Sequence, residues 1–214
     1  MASFVRRCVV SLATLAVATA PALGQSSRYV RVGLGSAVLH APSAQFPAPG
    51  NVGSPSLAVG YVSARGHGVE LRASRLNVET MQYVYPHPTT GSGGLPSICC
   101  GGEAPVTIGL QATPIELGYF YQRRFYDGAL RPRVGVGAIA ARVVDRWRSD
   151  TPTESARAWE LGASAAAGVA VRLVGAVSVV AEGGYQHFSD SADRPARHVG
   201  LSGYRFGAGL ELGF

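Results

Sequence analysis

The chain has 214 residues, 47% of them apolar and only 15% charged, with 28 glycines. A soluble domain covers its core with a charged surface, and this sequence has too little charge to supply one. The net charge is +6 and every basic residue is an arginine, a balance that would suit nucleic acid in a cytoplasmic protein, but the N-terminus argues against such a partner.

Residues 1–24 read as a secretory signal. Arg6 and Arg7 form a positive start, Cys8 to Ala20 an uncharged apolar stretch, and Ala20-Pro21-Ala22-Leu23-Gly24 a helix break with small residues. Cleavage is expected after Gly24, with Ala22 as second choice, leaving residues 25–214 as one domain. The apolar stretch is short for a bilayer helix and no stop-transfer pattern follows it. Cys8 stands at its start, whereas a lipoprotein cysteine would stand at its end. The rest of the chain has no apolar run long enough for a transmembrane helix.

Two-residue alternation then recurs, each time over about the 9–11 residues that a tilted strand needs to cross a bilayer. The segments begin near Arg28, Ser56, Gly68, Thr113, Leu130, Ala158 and Ala176, and an eighth ends the chain. The alanine-rich stretch 156–171 could be written as a helix. Against that, Trp159, Leu161, Ala163 and Ala165 alternate with Glu160, Gly162, Ser164 and Ala166, and Gly162 and Gly168 weaken a helix, so it reads as strand. Short connections are expected near residues 64–67, 126–129 and 173–175. Long ones are expected at roughly 40–55, 79–112, 145–157 and 187–200. The regular long–short sorting predicts an all-β fold, an eight-stranded antiparallel transmembrane β-barrel in a Gram-negative outer membrane, with both termini periplasmic.

Assigning each strand's apolar set to lipid leaves Arg31, Arg72, Arg133, Arg172 and Arg205 facing Glu70, Glu116, Glu160, Glu182 and Glu211 inside. Charges out of water need partners, and eight strands enclose just enough room for side chains. A salt-bridged interior without an open channel is expected, with Arg172, beside a turn, the candidate for a place at the barrel end. Tyr119, Tyr121, Phe125, Tyr126 and Phe214 fall at the periplasmic strand ends, and Tyr83, Tyr85 and Tyr185 at or beyond the opposite ends, where interface girdles belong. Cys99 and Cys100 are adjacent in a glycine-rich segment. They cannot staple distant parts of the fold and lack ligand spacing for a metal, so a vicinal disulfide is the expected fate. No cofactor motif occurs.

The ending Tyr204-Arg205-Phe206-Gly207-Ala208-Gly209-Leu210-Glu211-Leu212-Gly213-Phe214 alternates throughout and closes on an aromatic ring. With it, the mature chain resembles the OmpA/OmpX-type outer-membrane β-barrel family. The resemblance implies recognition of the last strand, through Phe214, by the barrel-assembly machinery, and outer-membrane lipid and lipopolysaccharide as surroundings.

One constellation could carry chemistry. Tyr185-Gln186-His187-Phe188-Ser189-Asp190 is similar to the His-x-Ser-Asn signature of the lipid A 3-O-deacylases, which are also eight-stranded barrels. That resemblance implies His187 as base and Ser189 as nucleophile on the lipid-facing surface. The departures are Asp190 in place of asparagine, and Leu201 where the family's orienting acid would fall. Two functions stand: a barrel with a structural or surface-binding role, and a lipid A acyl-ester hydrolase.

Overall fold

The structure, a computed structural model, describes residues 26–39, 51–84, 104–148, 154–189 and 200–214. The signal segment, Tyr85, the Cys99–Cys100 pair and Asp190 lie outside the described residues.

Nine strand stretches follow one another: β1 (Ser27–Leu39), β2 (Asn51–Val62), β3 (His67–Ser74), β4 (Leu76–Val84), β5 (Ala104–Gln122), β6 (Leu130–Arg148), β7 (Glu154–Val174), β8 (Val177–Phe188) and β9 (Gly203–Gly213). They form one antiparallel sheet in which β1 pairs with both β2 and β9, and β5 pairs with β3, β4 and β6. β3 and β4 are two stretches of a single strand, because Ala73↔Ile115 and Leu76↔Ala112 keep one register against β5. The lapse between them sits at two prolines. Pro114 of β5, in register with Ser74, has no N–H to give to the ladder, while on the other side Arg75 N–H donates to Pro55 O of β2 at 3.1 Å. The fold is therefore a closed barrel of eight strands.

The closure is staggered. Following partners from Arg28 through Tyr61, Val69, Tyr119, Val136, Ala165, Tyr185 and Tyr204 returns to β1 at Val38, ten residues beyond the start. A stagger of that size over eight strands tilts them by roughly 40° from the barrel axis. Every residue on this spiral row is exposed, so the alternation inferred from sequence holds all the way round.

The expected short turns lie at one end of the barrel, the turn end, together with both described chain ends. There Arg28 and Phe214 exchange backbone hydrogen bonds at 3.0 and 2.8 Å. Gly66, at φ 88°, turns β2 into β3 where a Cβ would stand 2.2 Å from Gln122 O, so no side chain fits. At the far end the strands run further than the sequence predicts. β2 starts at Asn51, β4 reaches Val84, β5 starts at Ala104, β6 reaches Arg148 and β7 starts at Glu154. Strand thus replaces much of the expected loops, and the cause is an inversion of the alternation described below.

The lumen is layered. At the turn end Tyr29, Val62 and Phe120 pack together, with the rings of Tyr29 and Phe120 edge to face at 6.3 Å. Gly60 makes room for this layer, since a Cβ there would stand 2.3 Å from the Tyr29 ring. A belt of charges follows. Above it, toward the far end, an apolar plug fills the barrel: Leu39, Val52, Leu76, Leu110, Ile139, Val143, Phe188 and Leu201 belong to one buried cluster.

Candidate functional site: the filled lumen and the outer wall

The charged belt is built by inward positions on six strands. Glu70 accepts from Arg31, from Arg72 at 2.8 Å and from the Tyr29 hydroxyl at 2.5 Å, and Arg133 stands 3.5 Å away. Glu182 of β8 gathers Arg72, Arg133 and Arg31, the last at 3.2 Å. Arg205 of β9 grips Glu116 of β5 through two hydrogen bonds, 2.5 and 2.8 Å, and Ser164 donates to the same carboxylate at 2.5 Å. These carboxylates and guanidiniums are buried or nearly so, and each carboxylate meets more than one guanidinium. Such sharing offsets a desolvation cost of several kcal/mol per ion. Two voids, of about 70 and about 40 Å³, adjoin the belt, and Arg72, Glu182 and Arg205 line both. They have room for ordered water.

Of the ten charges assigned to the interior from sequence, nine are buried or half-buried there. Arg172 is the exception. It is exposed at the turn end, beside a register shift in β7, and donates to the Asp127 carbonyl at 3.0 Å. Arg131 fills the inward arginine role instead, bridging to Glu211 at 3.1 Å and donating to Ser178 at 2.5 Å. Arg131 shares the parity of Arg133 one step nearer the turn, and that parity was the signal available in the sequence.

The outer wall is apolar over its middle, with Val32, Leu34, Leu57, Leu71, Leu117 and Val136 all exposed. Aromatics border it. Tyr61, Tyr119, Tyr121, Phe125 and Tyr126 are exposed toward the turn end, while Tyr185 and Tyr204 stack edge to face at 5.2 Å toward the far end, with Trp159 exposed on β7. Past Trp159 the pattern inverts on β4, β5, β6 and β7. Arg75, Asn77, Glu79, Thr113, Arg142, Arg146 and Arg157 point outward there, and the inward positions between them are the apolar plug. Reading apolar as outward fails beyond this level, which is why the sequence reading stops the strands early.

His187 and Ser189 fall where the sequence placed them, on the outward face at the far end of β8, and both are exposed. His187 pairs across the ladder with Ala163. The Ser189 hydroxyl donates to Leu161 O at 3.0 Å, a carbonyl that also accepts Ser189 N–H at 2.9 Å. Leu201 is 1% exposed and belongs to the interior plug, so it faces away from the surface that holds the histidine. Gln186 fixes it by donating to its carbonyl at 2.8 Å.

No protein-family model matches the sequence, and no curated protein matches it. Solved structures do match. OprG of Pseudomonas aeruginosa aligns with a TM-score of 0.62 at 14% identity, covering 89% of this chain and 96% of that one. Ail, the attachment invasion locus protein of Yersinia pestis, solved with the heparin analogue sucrose octasulfate, aligns at 0.56 and 11% identity, covering 89% and 99%. Neisserial surface protein A aligns at 0.55 and 15% identity, covering 87% and 97%. At such identities the likeness speaks for the fold alone, and it agrees with the register, the closure and the layered lumen: this chain has the fold of the small eight-stranded OmpA/OmpX-type outer-membrane β-barrels.

Proposed function

We propose that the protein is an integral outer-membrane barrel with a sealed lumen and a structural or surface-binding role, exported by a signal removed after Gly24. The observation that carries this reading is the pairing of an apolar, aromatic-bordered outer wall with an interior closed by an ion-pair belt and an apolar plug. A wall of that kind is stable against lipid and costly against water, and a filled lumen has nothing to conduct. The turn end with both termini then faces the periplasm, β9 and Phe214 meet the barrel-assembly machinery, and lipopolysaccharide surrounds the far end. The Ail structure with a polysulfated sugar supports the surface-binding part of this reading, since it is a barrel of the same fold holding a polyanion. The test is membrane fractionation with heat-modifiable gel migration and planar-bilayer recording. Recovery in the outer membrane, folded and unfolded bands, and no stable conductance are expected. Recovery in the soluble periplasm, or a reproducible large conductance, refutes the proposal.

The second reading, a lipid A acyl-ester hydrolase using His187 and Ser189, rests on their shared outward face beside the far-end aromatics. Against it stand the Ser189 proton committed to Leu161 O and the inward orientation of Leu201.

A further inference from the structure

The inverted stretch of wall is not evenly polar. Its outward positions form a grid across four strands. The lowest row runs Arg75, Thr113, Arg142, Trp159. The next runs Asn77, Gln111, Val144, Arg157, and above it Glu79 and Arg146 flank Gly109. The described side chains of this grid thus include four arginines and one carboxylate, Glu79. At the same level on β1, β8 and β9 the outward residues are Val38, Tyr185, His187 and Tyr204, with no arginine among them. Among the described residues, the positive charge therefore belongs to one side of the barrel, at the depth marked by Trp159.

The grid is also recessed. Gly109 has no side chain between Arg146 and Glu79, and a Cβ there would meet Arg146 only at ordinary contact distance. The depression that results, about 530 Å³, is lined by Arg75, Arg146, Asn77, Gln111 and Glu79 among others. Gln111, with its amide oxygen turned toward Arg75, accepts from the guanidinium Nε at 3.3 Å and holds that side chain against the wall.

We propose that this recess binds a phosphate group on the head of an outer-leaflet glycolipid. Four features favour that occupant. The recess faces outward, so its occupant comes from the membrane side and not from the lumen. It sits where the apolar wall ends, the level at which a lipid's charged head meets its acyl chains. It presents planar guanidiniums, whose forked donors match phosphate oxygens. The apolar wall directly below offers the same molecule's chains a surface to lie on. The proposal rests on the outer-membrane reading above, and its test separates the two.

Purified barrel refolded in detergent is mixed with bisphosphorylated lipid A, with the same glycolipid stripped of phosphate, or with inorganic phosphate, and retained ligand is measured by native mass spectrometry. Heat-modifiable migration of the same samples reports folding. Wild type should retain the phosphorylated lipid. Arg75→Gln combined with Arg146→Gln, the two arginines that line the recess, should weaken retention by about tenfold or more, while Arg28→Gln at the turn end should leave it unchanged. Equal retention of the stripped lipid, equal affinity for free phosphate, or full retention by a folded double variant overturns the proposal. If that variant fails to fold, the wild-type comparison of phosphorylated with stripped lipid still decides. A wild-type barrel that folds and ignores lipid A refutes the recess alone, whereas one that never folds in detergent or lipid refutes the membrane reading as well.

Discussion

Arg205 and Glu116 stand on strands half a barrel apart, four steps round the sheet in either direction, and meet through two hydrogen bonds across the lumen. The pair ties opposite walls together, which no ladder contact between neighbouring strands can do.

Removing one partner leaves the other charge buried. Arg205→Met is expected to lower stability by about 3–5 kcal/mol, the usual cost of an orphaned ion. Arg205→Met with Glu116→Leu should cost clearly less than the two single changes added together, because the orphan is gone. Urea unfolding in lipid vesicles measures both. A strictly additive double variant would show that the two residues do not act as a unit.

The apolar plug is expected to behave as a soluble core does. Leu201→Ala, at a fully enclosed position, should destabilise by about 2–5 kcal/mol through lost transfer energy and the cavity left behind. Leu34→Ala on the outer wall, where Leu34 is 74% exposed, should cost clearly less, since acyl chains flow into the gap. The same vesicle unfolding assay compares them. Equal costs would mean that the plug is not packed.

Deleting Phe214 should harm assembly more than the finished barrel. The loss comprises a half-exposed ring and two backbone bonds to Arg28, together about 1–3 kcal/mol. Outer-membrane levels should nonetheless fall and precursor accumulate in the periplasm. Normal accumulation of the truncated protein would remove Phe214 from the assembly role.

Protein reconstituted with lipopolysaccharide is expected to release no fatty acid. Ser189→Ala removes one exposed hydrogen bond to Leu161 O and should change stability by about 1 kcal/mol or less. Release of 3-hydroxy fatty acid that is abolished by both Ser189→Ala and His187→Asn would establish the hydrolase reading instead.

The sequence by itself determined the strand count, the short turns, the outward face of the middle wall and nine of the ten interior charges. These follow from a period of two residues, which the pleat imposes locally and which any stretch of chain displays without knowing its neighbours. The same logic set His187 and Ser189 on one face. The tertiary structure decided what closure and stagger decide. It brought Arg205 to Glu116 across the lumen, left Arg172 exposed at the barrel end beside a register shift, and turned Leu201 inward, away from His187. It also inverted the meaning of the alternation past Trp159. There the strands extend beyond the apolar belt, so apolar side chains gain by facing one another inside while arginine and amide groups gain by facing out. Period alone cannot tell which side of a strand is wet, because that depends on how far along the barrel axis each residue stands.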